Sequence, residues 1–196
     1  MNAETIATPD NNCPAFSLLP DLMLTLILPT QLPTMFQLRL ASPEDFEFIY
    51  TLYFHEATNA GLLYEPMFKE EFLPIYTQLL AQQCKYVLVA NDEPVGMVKL
   101  IRQTHRTRHV CYIGGLAIHP MHFGKGYGRQ LLEEVKKWAK ERGILRLELD
   151  VDDDNPRAKR LYEKAGFEVE GVLRKLAYRQ KEQRYFDNYR MALLLD

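Results

Sequence analysis

Three glycines at alternate positions mark the stretch of this sequence with the clearest chemical meaning. Gly124, Gly126 and Gly128 follow the apolar run Leu116–Ile118 and precede a run with helical period. Glycine accepts positive φ and has no Cβ, so such a turn can direct several backbone N–H groups at one ligand. A helix begins directly after it, and its first N–H groups lie unpaired at the positive end of the helix dipole. The stretch therefore predicts a binding site for a polyanion such as a diphosphate.

Spacing excludes the two commonest nucleotide motifs. A dinucleotide-binding G-x-G-x-x-G requires glycine where Arg129 stands. A P-loop requires glycine five residues before Gly124, where His119 stands. The alternative without chemistry is a helix entry that is merely rich in glycine.

A second informative stretch runs from Asn155 to Phe167. Asn155 before Pro156 predicts a helix cap followed by a first-turn proline, and Gly166 predicts the end of that helix. The preceding Asp152–Asp154 lacks the ordered spacing of a calcium loop. We therefore interpret it as a charged loop at the helix entry and predict no metal site.

Together the two stretches resemble the signatures of the GNAT superfamily of N-acetyltransferases. The glycine turn is similar to the family's coenzyme A diphosphate turn, [R/Q]-x-x-G-x-[G/A], in which Gly126 and Gly128 match and Phe123 replaces the usual Arg or Gln. The second stretch meets N-x-x-A-x-x-L-Y-x-K-x-G-F at every named position. The run Gly171–Arg174 and a later Asp-x-Tyr-x-Met resemble the branch that contains ribosomal-protein and small-amine acetyltransferases.

The resemblance implies acetyl-CoA as co-substrate. The implied coenzyme-binding residues are Leu116, Ala117, Ile118, Phe123, Gly124, Lys125, Gly126, Tyr127, Gly128, Arg129 and Asn155. The main chain of Leu116–Ile118 would bind the pantetheine arm as an added strand, and one of its N–H groups would polarise the thioester carbonyl. Asn155 would contact the pantetheine or the acceptor. Because Phe123 supplies no donor, the backbone would hold the phosphates and coenzyme binding would be weaker.

The resemblance also implies the fold and the reaction. The fold would be α+β, with a mostly antiparallel central sheet, a splayed parallel pair and helices on both faces. Gly114–Gly115, inside the strand that carries Leu116–Ile118, fits a bulge or close backbone approach there, although an ordinary kinked strand explains the pair nearly as well. The expected reaction is acetyl transfer to a primary amine, which attacks the thioester directly in a ternary complex.

Tyr162 is the candidate catalytic residue. The resemblance directs its hydroxyl towards the thioester sulfur, where a phenol can protonate the leaving thiolate; the alternative is a core aromatic. The general base stays open among Glu148, Asp150, His119 and water. Cys111 could carry an acyl group, but no base is identifiable beside it and a core position is the simpler interpretation. A non-catalytic acyl-CoA-binding or regulatory domain is the alternative function, and an enzyme acting on a nucleic-acid base amine is a third.

Hydrophobic periodicity supplies the elements that would position these residues. It predicts strands at 35–40, 85–91, 95–103, 110–118, 145–152, 167–178 and 185–195, helices at 46–54 and 68–80, a helix from the glycine turn to Gly143, and a hairpin turn at 92–94. Strand, glycine turn, helix and strand form one right-handed βαβ unit, whose ligands lie at the carboxyl ends of its strands. Polar residues around the connection between the first two helices could bind an amine or form solvated surface: Glu56, Tyr64, Glu65, Glu70 and Glu71.

Composition limits the partners. A net charge of −2 over 196 residues gives no long-range attraction to nucleic acid or to an anionic membrane. The expected partners are a small-molecule amine or the amine of a protein or peptide, and a second copy of the chain is a further possible partner. Three widely spaced cysteines, Cys13, Cys84 and Cys111, suggest reduced thiols and a cytoplasmic location.

The first residues differ in character from the rest. Residues 1–34 carry an apolar run, Leu22–Leu28, that is bracketed by prolines and too short to cross a membrane. We predict that 1–34 is an appended segment or an upstream start and that 35–196 is the acetyltransferase domain. The alternative is that Leu22–Leu28 packs on the domain as an extra element.

Overall fold

Within residues 34–195, which a computed structural model describes, the chain forms a seven-stranded mixed sheet. The strands are β1 (Phe36–Leu40), β2 (Lys85–Ala90), β3 (Glu93–Arg102), β4 (Val110–Ile118), β5 (Arg146–Asp152), β6 (Glu168–Arg179) and β7 (Arg184–Leu194). Their order is β1-β2-β3-β4-β5-β7-β6, and every neighbouring pair is antiparallel except β4 and β5. The predicted segment 1–34 lies outside the described residues apart from Thr34.

Helices cover both faces of the sheet, as predicted. They are α1 (Phe46–Phe54), α2 (Glu56–Asn59), α3 (Lys69–Ala81), α4 (Tyr127–Lys140) and α5 (Pro156–Lys164). Because side chains alternate along a strand, Val87 packs with α1 and α3 on one face while Leu88 packs with α4 on the other. No helix in this part of the chain is both long and apolar enough to cross a membrane.

The parallel strands β4 and β5 separate halfway along their length. Their pairing runs from Val110 opposite Arg146 to Ile113 opposite Leu149 and ends there, although both strands continue. Beyond this point β4 carries a bulge, because Gly115 and Leu116 together stand opposite Val98 of β3. Gly115 has φ +53°, which only glycine adopts readily. The predicted splayed pair is confirmed, and it opens a gap in the middle of the sheet.

Two local predictions were wrong. The β2–β3 turn lies at Asn91 and Asp92, not at 92–94, because both residues take positive φ and form a two-residue hairpin turn. Glu93 already pairs with Ala90. Phe68, which the helical period placed on a buried stripe, precedes α3 as its N-cap and is 76% exposed.

Candidate functional site

A cleft of about 780 Å³ occupies the gap between β4 and β5. Every residue predicted to bind the coenzyme lines it except Lys125, which is exposed on the turn. Tyr162 lines it as well. The structure therefore brings the two sequence signatures to the walls of one cavity.

The glycine turn forms one rim of this cleft. Gly124 has φ +77° and Gly126, the N-cap of α4, has φ +82°; nothing lies within 4 Å of a Cβ built on either, so backbone conformation alone requires glycine there. Gly128 differs, because it lies inside α4 without positive φ and a Cβ there would stand 3.1 Å from the Leu161 side chain. Two glycines shape the turn, and the third lets α4 and α5 approach. The first N–H groups of α4 remain available at the rim.

The inner wall of the cleft is an open strand edge. The His119 N–H donates to the Val95 carbonyl of β3 at 2.9 Å. Because N–H groups alternate in direction along a strand, those of Leu116 and Ile118 face the gap, where β5 has already turned away. An extended ligand can pair with this edge as an added strand.

Basic side chains line the side of the cleft next to the glycine turn. They are Arg129, Arg157, Arg160 and Lys164. Among residues 34–195, none of the four has a carboxylate within 4.0 Å, and the three on α5 are exposed. The Arg157 guanidinium lies over the Phe123 ring, 4.5 Å from its centroid. The rim of the cleft is therefore electropositive.

Acidic side chains line the carboxyl end of β5. Asp150, Asp152 and Asp154 reach the cleft together with Arg179 from β6. Arg179 pairs with Asp152 at 2.5 Å and with Asp154 at 2.7 Å, and the Asn188 Nδ2 donates to Asp152 at 2.6 Å. The sequence interpretation of a charged loop missed this placement. The alternation of β5 could have indicated it, since Asp150 and Asp152 are two apart on one strand.

The connection after α1 covers part of the cleft. The residues that line the cleft there are not the polar residues that the sequence analysis proposed. The lining residues are Ala57, Thr58, Ala60 and Gly61. A Cβ on Gly61 would lie 3.3 Å from the Asn155 Nδ2. None of the five polar candidates around this connection lines the cleft, and Glu65 instead accepts a hydrogen bond from the Gln180 N–H at 3.0 Å. The loop is thereby fastened to the β6–β7 hairpin.

Tyr162 is both a core residue and a cleft residue. It is 8% exposed and packs edge-to-face on Phe167, with ring centroids 6.0 Å apart. Burial, helped by the charge of Asp152, raises its pKa to about 12. The phenol consequently stays protonated at neutral pH and can donate a proton or a hydrogen bond.

Of the three side chains considered as the general base, Asp150 alone lines the cleft. Asp150 lines the cleft and accepts from the Tyr112 hydroxyl at 3.1 Å and from Arg190. Glu148 does not line it and pairs with Arg146 at 2.7 Å. His119 does not line it either.

His119, Asn155 and Cys111 each have a structural role in the fold. His119 stacks on Phe48, and burial followed by the nearby His122 lowers its pKa. The Asn155 Oδ1 caps α5 by accepting from the Ala158 N–H at 3.0 Å. Cys111 is fully buried, and burial raises the pKa of its thiol to about 12, so it is protonated at neutral pH.

Comparison with known proteins agrees with this geometry. The profile of the acetyltransferase (GNAT) family matches residues 46–167. Streptothricin acetyltransferase from Escherichia coli is 31% identical over 87 residues, which are 44% of this chain and 48% of that protein, so the match spans about half of the relative.

Solved structures share the whole fold. The spermidine N-acetyltransferase from Vibrio cholerae, in complex with CoA and spermine, aligns with a TM-score of 0.69 and 26% identity over 81% of this chain and 95% of its own. The ribosomal-protein-alanine N-acetyltransferase from Brucella melitensis aligns with a TM-score of 0.67 and 23% identity over 81% and 99% of the two chains, and supports the fold alone. With a family match over more than half of its length, the chain belongs to the acetyltransferase (GNAT) family.

Proposed function

We propose that this protein is an acetyl-CoA-dependent N-acetyltransferase that acts on a primary amine by direct attack in a ternary complex. The observation that carries the proposal is the cleft itself. It combines an open strand edge, a glycine turn with free helix N–H groups and a buried phenol in one cavity. Each of these serves one part of a thioester substrate: its arm, its phosphates and its sulfur.

The coenzyme half of the proposal depends on charge at the rim. A diphosphate beside the first turn of α4 would accept from its N–H groups and face the basic residues of α5. Arg157 would supply the positive charge that the family takes from the position of Phe123. The N–H groups of Leu116 and Ile118 would receive the pantetheine arm.

The acceptor half depends on the acidic end of β5. Asp150, Asp152 and Asp154 pair with Arg179 and Arg190, and their remaining carboxylate lone pairs can accept from the ammonium group of a polyamine or another amine that is protonated in solution. The Vibrio cholerae neighbour, whose complex holds CoA and spermine together, supports an acceptor of this class. We therefore place the amine at the β5 end and the coenzyme at the glycine turn, so that the two meet near Tyr162.

The chemistry follows from this placement. The ammonium gives a proton to Asp150, and the neutral amine then attacks the thioester carbon, whose oxygen takes the negative charge and accepts from the β4 main chain. The intermediate collapses by breaking the C–S bond, and Tyr162 protonates the departing thiolate. The proton that the nitrogen loses as it becomes an amide then restores the Tyr162 phenol. The products are an acetamide and the free thiol of CoA. Alignment of the two reactants supplies up to ~7–11 kcal/mol of the reduction in barrier.

The test is turnover on defined amines. Purified protein is mixed with acetyl-CoA and polyamines, amino acids or N-terminal peptides, and released thiol is measured against reactions without amine. Thiol release that depends on one class of amine supports the proposal. Tight binding of acetyl-CoA without turnover on any amine would instead identify a non-catalytic coenzyme-binding domain.

A further inference from the structure

Lys85 is a buried amine on the opposite side of the sheet from the glycine turn. It begins β2 and is 1% exposed. Within residues 34–195 it has no carboxylate within ion-pairing distance, and the charged residue opposite it in the β2–β3 ladder is another lysine, Lys99. Burying a charged lysine without a counter-ion costs folding free energy, so we expect a specific contact of its amine that explains the position.

The amine contacts the bulge of β4. Its Nζ lies 3.0 Å from the Tyr53 hydroxyl of α1 and 3.4 Å from the Gly115 carbonyl oxygen. It also stands over the Tyr53 ring, 4.6 Å from the centroid. A side chain at Gly115 would meet the same two groups, since a Cβ there would be 3.1 Å from the hydroxyl and 3.5 Å from Nζ. Lys85 and Tyr53 therefore hold the bulge of β4, which lies just beyond the point where β4 and β5 separate.

The Gly115 carbonyl and the Leu116 N–H belong to one peptide group. A donor on the carbonyl oxygen polarises that group and makes its N–H a stronger donor, as in any chain of hydrogen bonds. Leu116 lines the cleft, and the alternation of N–H groups counted back from His119 directs its N–H towards it. The contact therefore transmits the state of a buried amine to an N–H group beside the proposed thioester.

We propose that Lys85 is a positioning residue for catalysis, which holds the β4 bulge through the Gly115 carbonyl and strengthens the Leu116 N–H as a donor to the substrate. This inference rests on the proposed acetyl transfer, because Leu116 matters only if a thioester lies beside it. The link between Lys85 and the Leu116 amide does not depend on any ligand and is tested separately.

Protonation of Lys85 provides the separate test. Burial, followed in size by the opposing influences of Cys84 and Lys99, lowers its pKa to about 7. The titratable groups around the amine are Tyr53 on α1, Cys84 directly before β2 and Lys99 on β3, and Tyr64 faces Tyr53. Because Lys85 becomes neutral within an accessible pH range, the Leu116 amide should report its titration.

The first experiment follows the Leu116 amide of the ligand-free protein in ¹H–¹⁵N spectra from pH 5 to 9. Its resonance is expected to titrate in the wild type and to lose that titration in Lys85→Met, whose side chain has similar length but no donor. Lys99→Met is the matched control; it keeps the titration and moves the midpoint upward, because a repulsive charge is gone. A Leu116 titration unchanged in Lys85→Met would overturn the proposal.

The second experiment separates catalysis from binding. In Lys85→Met we expect kcat to fall about tenfold, the equivalent of one hydrogen bond, while the Kd for CoA stays within about twofold. An unchanged kcat would overturn the proposal, whereas failure of the wild type to bind CoA would overturn the proposed function and leave the amide coupling intact. If Lys85→Met does not fold, Tyr53→Phe replaces it. This variant removes the hydroxyl that accepts from the protonated amine, so the pH midpoint of the Leu116 titration should move downward. A midpoint that does not move downward contradicts the inference.

Discussion

The Arg157 guanidinium stacks on the ring of Phe123, across the mouth of the cleft. Phe123 occupies the position where the family signature has a donor side chain, and Arg157 comes from the first turn of the helix that carries the second signature. A planar cation over an aromatic face is held by the ring quadrupole and keeps its N–H edge free. Phe123 thus supplies no hydrogen-bond donor itself, but its ring holds the Arg157 guanidinium, a donor from α5, at the rim of the cleft.

Arg157→Ala should weaken CoA binding about five- to tenfold, because it removes a charge-assisted contact from the proposed diphosphate site. Calorimetry with CoA measures the change. Lys159→Ala is the matched control, since Lys159 lies on the same helix but pairs with Glu163 and does not line the cleft. Adding Phe123→Arg to Arg157→Ala should restore affinity; equal Kd values for wild type and Arg157→Ala would contradict the assignment.

Gly126→Ala should lose both stability and coenzyme affinity, whereas Gly143→Ala should lose stability alone. The two residues have φ +82° and +67°, and nothing lies within 4 Å of a Cβ on either. Each substitution therefore carries the same backbone penalty of about 1–2 kcal/mol. Gly126 lines the cleft, while Gly143 follows the far end of α4. Urea unfolding and CoA calorimetry on both variants test this, and equal effects on affinity would remove the turn from the binding site.

Tyr162→Phe should lower kcat about 10²- to 10⁴-fold and leave the KM for acetyl-CoA nearly unchanged, because only the proton donor to the thiolate is lost. The measurement is steady-state thiol release at neutral pH, where the raised pKa keeps the phenol protonated. Tyr86→Phe is the control, since Tyr86 belongs to the same hydrophobic core but packs on Trp138 and does not line the cleft. Wild-type kcat in Tyr162→Phe would reduce this residue to a core aromatic.

Asp150→Asn should lower kcat/KM about 100-fold at neutral pH, because it removes the carboxylate that we propose takes the proton of the amine. Glu148→Gln should leave it near the wild-type value. The two carboxylates are two residues apart on β5 and both contact Arg190. Glu148→Gln therefore controls for the loss of one negative charge beside Arg190. Similar rates for the two variants would favour water as the base.

The parts of this protein that could be predicted are those encoded locally. Strand β4, the glycine turn and the Asn155 cap can each be predicted from a few consecutive residues, because hydrophobic period and backbone preference are local properties. Phe68 shows the limit even there, because a periodic residue can fall just outside the helix that its period predicts.

Contacts between distant segments could not be predicted in the same way. Lys85 meets Gly115, and Glu65 meets Gln180, only because of the strand order and the bulge. The same is true of Arg157 on Phe123: each signature was visible, but their juxtaposition was not. These long-range pairs decide which polar groups reach the cleft, which explains why the acceptor end of the site was the least predictable part.

The ion pair between Arg39 and Asp45 should make stability depend on pH in the acid range. Both Arg39 nitrogens donate to the carboxylate at 2.7 Å, the Ser42 N–H donates at 2.8 Å, and Asp45 is 5% exposed. Burial alone would raise the pKa of Asp45, but the hydrogen bonds from Arg39 and Ser42 outweigh it and hold the pKa below its usual value. Since the folded state therefore favours the ionised form, this stabilisation is present above the unfolded pKa and is lost as pH falls through the folded one.

Asp45→Asn should accordingly lower the free energy of unfolding by about 2 kcal/mol at pH 7, and the difference from wild type should shrink as pH falls through the folded pKa of Asp45. Urea unfolding at a series of pH values measures it. Glu47→Gln is the control, because the Glu47–Lys69 pair is exposed and its loss should change nothing measurable at any pH. A deficit in Asp45→Asn that stays constant across the whole acid range would show that the substitution disturbs packing and not the ion pair.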